Sequence, residues 1–232
     1  ESFGKETGND SRPYAFTRSS VEALVVVEQL RFADEPILFE PGAADAVPHD
    51  AWFVILVGNA GPEMFRRFAL ERDHRTAKID DWTRDVLGGL ADDLSAKAVF
   101  PFDTPPLPFL TWARRARAGH VSPLSLNIHP TYGLWHAFRA ALLFPAAFDL
   151  PLQSAGAHPC ETCADKPCLS ACPVHAFNGS SYDVAACAAH LETPAGEDCM
   201  SGGCLARRAC PVGREFTYHP FQAHFFMRAF RA

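Results

Sequence analysis

The sequence predicts an α+β protein in which an N-terminal α/β domain, residues 21–155, is followed by a small cysteine-rich domain, residues 156–232. Three observations indicate this division. Segments typical of strands and of helices alternate over the first part of the chain. All eight cysteines lie in the second part. Between the two parts the composition shifts, and a proline-bearing linker occupies residues 145–159.

Strand and helix patterns follow one another through the first domain. Residues 1–20 are polar and show no period, and we expect them to be loose. The segments with strand character are 37–39, 51–57, 98–102, 124–128 and 134–144. The segments with helix character are 21–30, 62–72, 78–95 and 107–118. Such alternation favours an α/β layer.

Three of these segments decide the expected layout. Residues 51–57 are continuously apolar and rich in β-forming residues, which predicts a central strand buried on both faces. In the segment 78–95 apolar residues recur every three or four positions, and Asp80 and Asp81 suit the first turn of a helix. The segment 134–144 is ambiguous between helix and strand, and we favour the strand.

Composition and charge exclude several classes of protein. A chain of 232 residues can bury a substantial core, and its 48% hydrophobic content is ordinary. The net charge of −6 makes nucleic-acid binding through phosphate neutralisation unexpected. No apolar run approaches the ~20 residues that span a bilayer, and no secretory leader is recognisable. We therefore expect a soluble protein of the cytoplasm, without a membrane partner.

The eight cysteines form the strongest motif in the chain. The first block reads Cys160-Glu-Thr-Cys163-Ala-Asp-Lys-Pro-Cys168-Leu-Ser-Ala-Cys172-Pro173. The later cysteines are Cys187, Cys199, Cys204 and Cys210, the last again followed by proline. The ending Cys-x3-Cys-Pro resembles the run of bacterial ferredoxins that hold two 4Fe–4S clusters, in which the fourth cysteine ligates the other cluster.

This wiring predicts two crossed sets of ligands. Pro173 is expected to begin a helix and so to direct the thiol of Cys172 away from its own loop. Cluster 1 would then be held by Cys160, Cys163, Cys168 and the distant Cys210. Cluster 2 would be held by Cys172, Cys187, Cys199 and Cys204.

Disulfides and zinc sites are two other uses of the eight cysteines. Four disulfides would suit a secreted scaffold, but such scaffolds are small and cysteine-dense throughout, whereas residues 1–159 contain no cysteine. Two zinc sites could use Cys160-x2-Cys163 as a half-site, although zinc gives no reason for two Cys-Pro endings. The spacing favours iron–sulfur clusters.

The segment before the cysteines resembles a known family. The run Phe102-Asp-Thr-Pro-Pro-Leu-Pro-Phe-Leu-Thr-Trp-Ala-Arg-Arg115 is similar to the Asp-Thr-x-Pro…Trp-Ala-x-Arg run of epoxyqueuosine reductases. Leu126-Asn-Ile-His-Pro130 and Gly133-Leu-Trp135 sit where that family has a strand, a proline and Gly-x-Trp. The resemblance implies a cobalamin-binding, reductase-like α/β domain joined to a ferredoxin-like two-cluster domain. Ser122-Pro123 stands where the family has Gly-Lys.

The resemblance also implies a mechanism and a catalytic residue. Electrons would pass through the clusters to a corrinoid, which acts on a substrate held above the corrin ring. Asp103 falls on the family's catalytic proton-donor aspartate, although a turn residue bonding local N–H groups is the simpler account of it. The function stays open between a corrinoid-dependent reductase, a ferredoxin-type carrier that docks a redox partner protein, and a cobalamin-handling protein.

Further polar side chains are candidates for binding or tuning. Arg114, Arg115 and Arg117 close a predicted helix, where the helix dipole favours cations, or they dock an anionic ligand or acidic partner. His129 and His136 are core or surface histidines, or they contact a cofactor.

Two features of the cysteine-rich part complete the expectations. His175 follows the first Cys-Pro pair, and a hydrogen bond from it could tune a cluster. Near the end of the chain, phenylalanines recur at helical spacing, at Phe221, Phe225, Phe226 and Phe230. We expect a C-terminal helix that packs on the cysteine-rich domain.

Overall fold

The computed structural model describes residues 25–31, 53–72, 78–145 and 156–231, and the predictions for segments 1–20 and 37–39 lie outside these ranges. The described strands are β1 Val25–Arg31, β2 Phe53–Ala60, β3 Lys97–Val99, β4 His120–Val121, β5 Asn127–Ile128 and β6 His136–Phe144. The described helices are α1 Glu63–Glu71, α2 Ile79–Asp93, α3 Phe109–Arg115, α4 Pro167–Ser170, α5 Val184–Leu191, α6 Glu197–Gly202, α7 Leu205–Arg208 and α8 Pro220–Arg231. Two 3-10 turns lie at Pro194–Gly196 and Arg214–Phe216.

Four strands form one sheet in the order β1-β2-β6-β3, and each neighbouring pair is antiparallel. β2 and β6 are central and pair along their whole length. Leu56 belongs to the core under α3, whereas the next residue, Val57, belongs to the core under α2. Helices therefore cover both faces of the sheet, and the predicted burial of the 51–57 strand on both faces is confirmed at these two positions.

The preference for a strand at 134–144 is confirmed by β6, but three other segments differ from expectation. The helix expected over 21–30 is wrong for residues 25–30, because three consecutive valines favour a strand and the backbone pairs with β2. The strand expected over 98–102 ends at Val99, where the chain turns towards Asp103. The strand expected over 124–128 shrinks to β5, because Ser125 has a positive φ of 58° within a turn.

The cysteine region is made of short helices and turns around a small apolar core. Cysteines from both blocks lie in that core together with Ala206 and Phe177. Leu124, Ile128 and Leu134, which precede the predicted linker, pack into the same core. The cysteine core is therefore completed by side chains from the first part of the chain.

Helix α8 packs against both parts of the chain. Phe225 and Phe226 lie against the core of α1 and α2, and the ring of Phe65 is 5.1 Å from that of Phe225. On another side of α8, Met227 packs with Cys199 and its neighbours. The expected C-terminal helix thus forms, and it joins the cysteine region to α1 and α2. Within the described ranges, none of the helices has the length and apolar character needed to cross a membrane.

Candidate metal centres

The turn after Cys172 shows how the first block is shaped. Pro173 does not begin a helix as expected, because the chain makes a single turn in which His175 N–H donates to Cys172 O over 3.1 Å and His175 takes a positive φ of 47°. The left-handed residue stops helical propagation. Ala176 N–H then donates to Cys172 Sγ over 3.3 Å. Cys172 Sγ thus receives a backbone hydrogen bond from Ala176. The His175 side chain is exposed, and its role in tuning a cluster stays a prediction.

Four thiols from the two ends of the cysteine region are neighbours. Burial raises the pKa of Cys160 to about 11, and the charges of Cys210, Cys168 and Cys163 add to that increase. Burial likewise raises the pKa of Cys168, with further contributions from Cys210 and Cys163. These mutual contributions to the pKa place the four thiols within electrostatic range of one another. They are the four cysteines predicted for cluster 1, whose role as ligands stays a prediction.

The other thiols gather around the phenol of Tyr182. Burial raises the pKa of Tyr182, and a hydrogen bond with Cys187 and the charges of Cys187, Cys204 and Cys172 act in the same direction. Burial raises the pKa of Cys204, and the charges of Cys199 and Cys187 raise it further. Cys199 therefore belongs to the same group of thiols. These are the four cysteines predicted for cluster 2.

The chemistry of both groups fits an iron–sulfur cluster. All eight cysteines are free thiols. Burial raises the pKa of Cys199 and Cys210, while hydrogen bonds from the backbone N–H groups of Leu205 and Val212 lower it. Hydrogen bonds to the sulfur atoms help to set the potential of iron–sulfur clusters. Four of the cysteines are buried and four are partly buried. A donor set made only of cysteine, supplied with backbone N–H groups, fits such a cluster.

Asp103 lies in the turn after β3 with both carboxylate oxygens engaged. Its Oδ1 accepts a hydrogen bond of 2.8 Å from Arg84 Nη2, and its Oδ2 accepts one of 2.8 Å from the backbone N–H of Phe100. The Arg84 guanidinium also lies 4.5 Å from the ring centre of Phe100 and 5.0 Å from that of Phe102. This geometry accounts for Asp103 as the residue that closes the turn, and its catalytic role stays a prediction.

The two histidines flanking Gly133 have different surroundings. His136 is buried, and its Nε2 lies 3.2 Å from Asn127 O, so Nε2 carries the proton. Burial, then the charges of His129 and Arg207, lowers the pKa of His136 to about 3. His129 Nδ1 accepts hydrogen bonds from the backbone N–H groups of Thr131 and Tyr132. Both histidines are thus used within the fold.

Two functional neighbours of the cysteines escaped the sequence argument. Tyr182 contacts the second group of thiols, and its ring stacks on Phe177 at 4.5 Å. Arg207 lies between Trp135, 4.8 Å away, and Tyr218, 4.5 Å away, and donates to Leu134 O. A lone tyrosine and a lone arginine have no periodicity, so only their positions within the cysteine region could have marked them.

No protein-family model and no curated protein matches the chain. Among solved structures, the Bacillus subtilis epoxyqueuosine reductase with its catalytic loop swung out of the active site is 17% identical, over 79% of this chain and 55% of its own, with a TM-score of 0.47. An epoxyqueuosine reductase with an epoxyqueuosine-modified tRNA stem loop is 18% identical, over 80% of this chain and 56% of its own, with a TM-score of 0.49. The Streptococcus thermophilus enzyme is 16% identical, over 82% of this chain and 59% of its own, with a TM-score of 0.49. This chain thus spans a little over half the length of these proteins, which belong to the family that the sequence resembles.

Proposed function

We propose that this chain is an iron–sulfur redox protein that holds two 4Fe–4S clusters and transfers electrons. Cys160, Cys163, Cys168 and Cys210 hold one cluster, and Cys172, Cys187, Cys199 and Cys204 hold the other. Each cluster, when bound, accepts and releases single electrons at a potential set by its surroundings.

The grouping of the thiols is the observation that carries this proposal. Cys210 acts on Cys160 and Cys168 although it lies at the far end of the cysteine region. Cys172, which ends the first block, instead raises the pKa of the Tyr182 phenol together with Cys187 and Cys204. Two sets of four neighbouring thiols, each containing one cysteine from the other block, match the crossed wiring of two-cluster ferredoxins.

Single metal ions suit this arrangement less well. A structural zinc ion draws four ligands to about 2.0–2.3 Å from one centre. Within the described part of the chain, no three side chains of His, Cys, Asp or Glu converge tightly enough to hold one ion. A cubane gives each thiolate its own iron, so its four sulfur ligands lie farther apart than those of a single ion. The wider spacing that a cubane allows between its ligands is therefore compatible with these thiols.

The residues around the thiols would keep the clusters dry and electrostatically defined. Leu124, Ile128 and Leu134 close the apolar core on one side of the cysteines. Backbone N–H groups donate to several sulfur atoms, as Ala176 does to Cys172. Exclusion of water and hydrogen bonds to sulfur are the means by which a protein sets cluster potential.

Two destinations for the electrons follow from the sequence resemblance and from the turn at Asp103. In the first, the protein is a corrinoid-dependent reductase related to epoxyqueuosine reductases, and Asp103 donates a proton to the substrate. In the second, it is a non-catalytic carrier that passes electrons to a partner enzyme. The engagement of both Asp103 oxygens by Arg84 and Phe100 favours the second, because the carboxylate must leave these partners before it can protonate a substrate.

Adding cobalamin to the anaerobically prepared holoprotein separates the two destinations. A corrinoid-dependent reductase shifts the visible spectrum of cobalamin on binding, whereas a carrier leaves that spectrum unchanged. The cluster proposal itself is tested in the same sample by paramagnetic resonance after chemical reduction. Two reduced 4Fe–4S clusters give an interacting signal, and a reduced protein without any paramagnetic signal would contradict the proposal.

A further inference from the structure

An open cavity of about 330 Å³ lies at the end of α3, outside the two groups of thiols. It is lined by Arg114, Arg117, Gly119, His120, Val121 and His158. Small-molecule sites typically occupy ~300–1,000 Å³. The cavity is thus large enough for a small organic molecule.

The charges on the described lining of this cavity have one sign. Arg114 and Arg117 contribute two guanidinium groups, and none of the described lining residues is acidic. Among the described residues, the arginines that form ion pairs with carboxylates do not include these two. Arg114 Nη2 donates a hydrogen bond of 3.1 Å to the neutral hydroxyl of Thr111. Two guanidinium groups at one cavity create an attractive field for an anion.

The two histidines add a flat wall and a hydrogen-bond donor. Their rings are stacked, with centres 4.4 Å apart and planes inclined by 13°. His158 Nδ1 accepts a hydrogen bond of 3.3 Å from Cys160 N–H, so the ring proton of the neutral imidazole is on Nε2. His120 Nε2 lies 3.1 Å from Gly156 O and donates to it. His158 thereby keeps an Nε2–H donor, and this residue lines the cavity together with Arg114 and Arg117.

Arg117 follows the end of helix α3 in a left-handed backbone conformation. Ala118 N–H bonds to Ala113 O and Arg117 N–H bonds to Arg114 O, which is the Schellman pattern. Arg117 occupies the left-handed position of that motif, with φ at 58°, where glycine is the favoured residue. A cation near a helix C-terminus benefits from the dipole in any backbone conformation, so the dipole does not require arginine at this strained position. Ser95 occupies the same position after α2, with φ at 54°, so the case for a site here rests on the lining of the cavity and not on the strain.

We propose that this arginine–histidine pocket binds the phosphate group of a small phosphorylated molecule. A phosphate offers several strong acceptor oxygens and up to two negative charges, which match two guanidinium groups and one imidazole N–H. The remaining volume and the stacked imidazoles accommodate the organic part. Through His158 the ligand would lie beside the loop of Cys160, which the proposed function assigns to cluster 1.

Binding is tested by calorimetric titration of the full-length holoprotein with inorganic phosphate, AMP and adenosine. We expect inorganic phosphate and AMP to bind and adenosine, which has no phosphate, to bind at least tenfold more weakly than AMP. Arg114→Gln and Arg117→Gln should each weaken AMP about tenfold, as the loss of one charge-assisted hydrogen bond predicts. Arg66→Gln, which removes an exposed cation on α1, should leave the affinity unchanged.

Arg117→Gly separates binding from stability. Glycine relieves the left-handed strain, so this variant should melt at a higher temperature than the wild type while binding AMP about tenfold more weakly. The proposal is overturned if the wild type binds neither inorganic phosphate nor AMP at millimolar concentration, or if Arg114→Gln and Arg117→Gly bind AMP as the wild type does. Neither outcome depends on electron transfer, so a failure to bind phosphate would leave the cluster proposal untouched.

Discussion

Gly133 and Gly213 face each other, backbone against backbone, where the turn before β6 meets the end of the cysteine region. A Cβ atom on Gly133 would overlap the carbonyl group of Val212, and one on Gly213 would overlap the backbone of Tyr132. Both glycines have positive φ, 57° and 69°. The contact between the two parts of the chain therefore requires glycine on both sides.

Alanine at either position should destabilise the protein strongly. We expect Gly133→Ala and Gly213→Ala each to lower the free energy of unfolding by about 2–4 kcal/mol, from backbone strain and steric overlap together. Gly88→Ala is the matched control, because a Cβ on Gly88 meets no atom within 4 Å and the residue lies inside α2. That control should stabilise the protein by about 1 kcal/mol. Denaturant unfolding checks all three, and equal effects at the three sites would contradict the packing described.

Arg207 should stabilise the same junction through its guanidinium plane. It stacks between Trp135 and Tyr218 and donates to Leu134 O, so its truncation removes a charge-assisted hydrogen bond and two ring contacts. We expect Arg207→Ala to cost about 2–3 kcal/mol, and Arg207→Lys to recover little of it, because an ammonium group lacks the planar fork. Arg66→Ala, at an exposed helix pair, should have no measurable effect in the same thermal or denaturant unfolding. Full recovery by lysine would show that charge alone matters.

His136 should make stability depend on pH. Its pKa is about 3 in the folded protein and about 6.5 when unfolded, so the unfolded chain binds the proton more tightly. Its contribution is present above pH 6.5 and is lost as the pH falls towards 3. Between pH 7 and pH 5 the loss amounts to about 2 kcal/mol.

The variant His136→Gln should flatten that pH dependence. Glutamine retains a side-chain N–H for Asn127 O but does not titrate. The comparison uses denaturant unfolding of both proteins at pH 7 and pH 5. Some dependence should remain, because burial also lowers the pKa of His129. A slope equal to that of the wild type would show that His136 is not the group responsible.

The crossed ligand sets give opposite results for two serine variants. Cys210→Ser should damage the cluster of Cys160, Cys163 and Cys168, whose thiols it neighbours. Cys172→Ser should spare that cluster and damage the one held by Cys187, Cys199 and Cys204. Paramagnetic resonance of each reduced variant identifies the surviving cluster. Loss of the Cys160 cluster in Cys172→Ser would reverse the assignment.

The sequence predicted those features of the fold that depend on local pattern. The run at 51–57 is a strong signal because it is continuously apolar, and the segment 78–95 is one because its apolar residues repeat at the helical period. A strand forms from Phe53 onward and a helix forms over Ile79–Asp93. The segment 21–30 has no such period, and its pairing with β2 is a long-range contact that a local reading misses. The turn at Asp103 was recognisable from its residues. Arg84, which donates a hydrogen bond to Asp103, lies in helix α2 and could not be identified from that local pattern.

The candidate site also has features that a local sequence pattern predicts and features that depend on the tertiary fold. Cysteine spacing is a local signal, and it pointed to the two sets of thiols that the structure brings near one another. The apolar lid of Leu124, Ile128 and Leu134 could not be predicted, because these residues precede the cysteines and reach them only through the tertiary fold. The arginine–histidine pocket likewise needs His158 beside α3, which the sequence does not reveal.

The content of iron and acid-labile sulfide in anaerobically prepared protein tests the central claim most directly. Two 4Fe–4S clusters held by eight cysteines require iron and sulfide each to approach about eight per chain. A protein with both values near that level supports two clusters, and serine at Cys160 or Cys187 should halve them. Stoichiometric zinc with no sulfide would contradict the account.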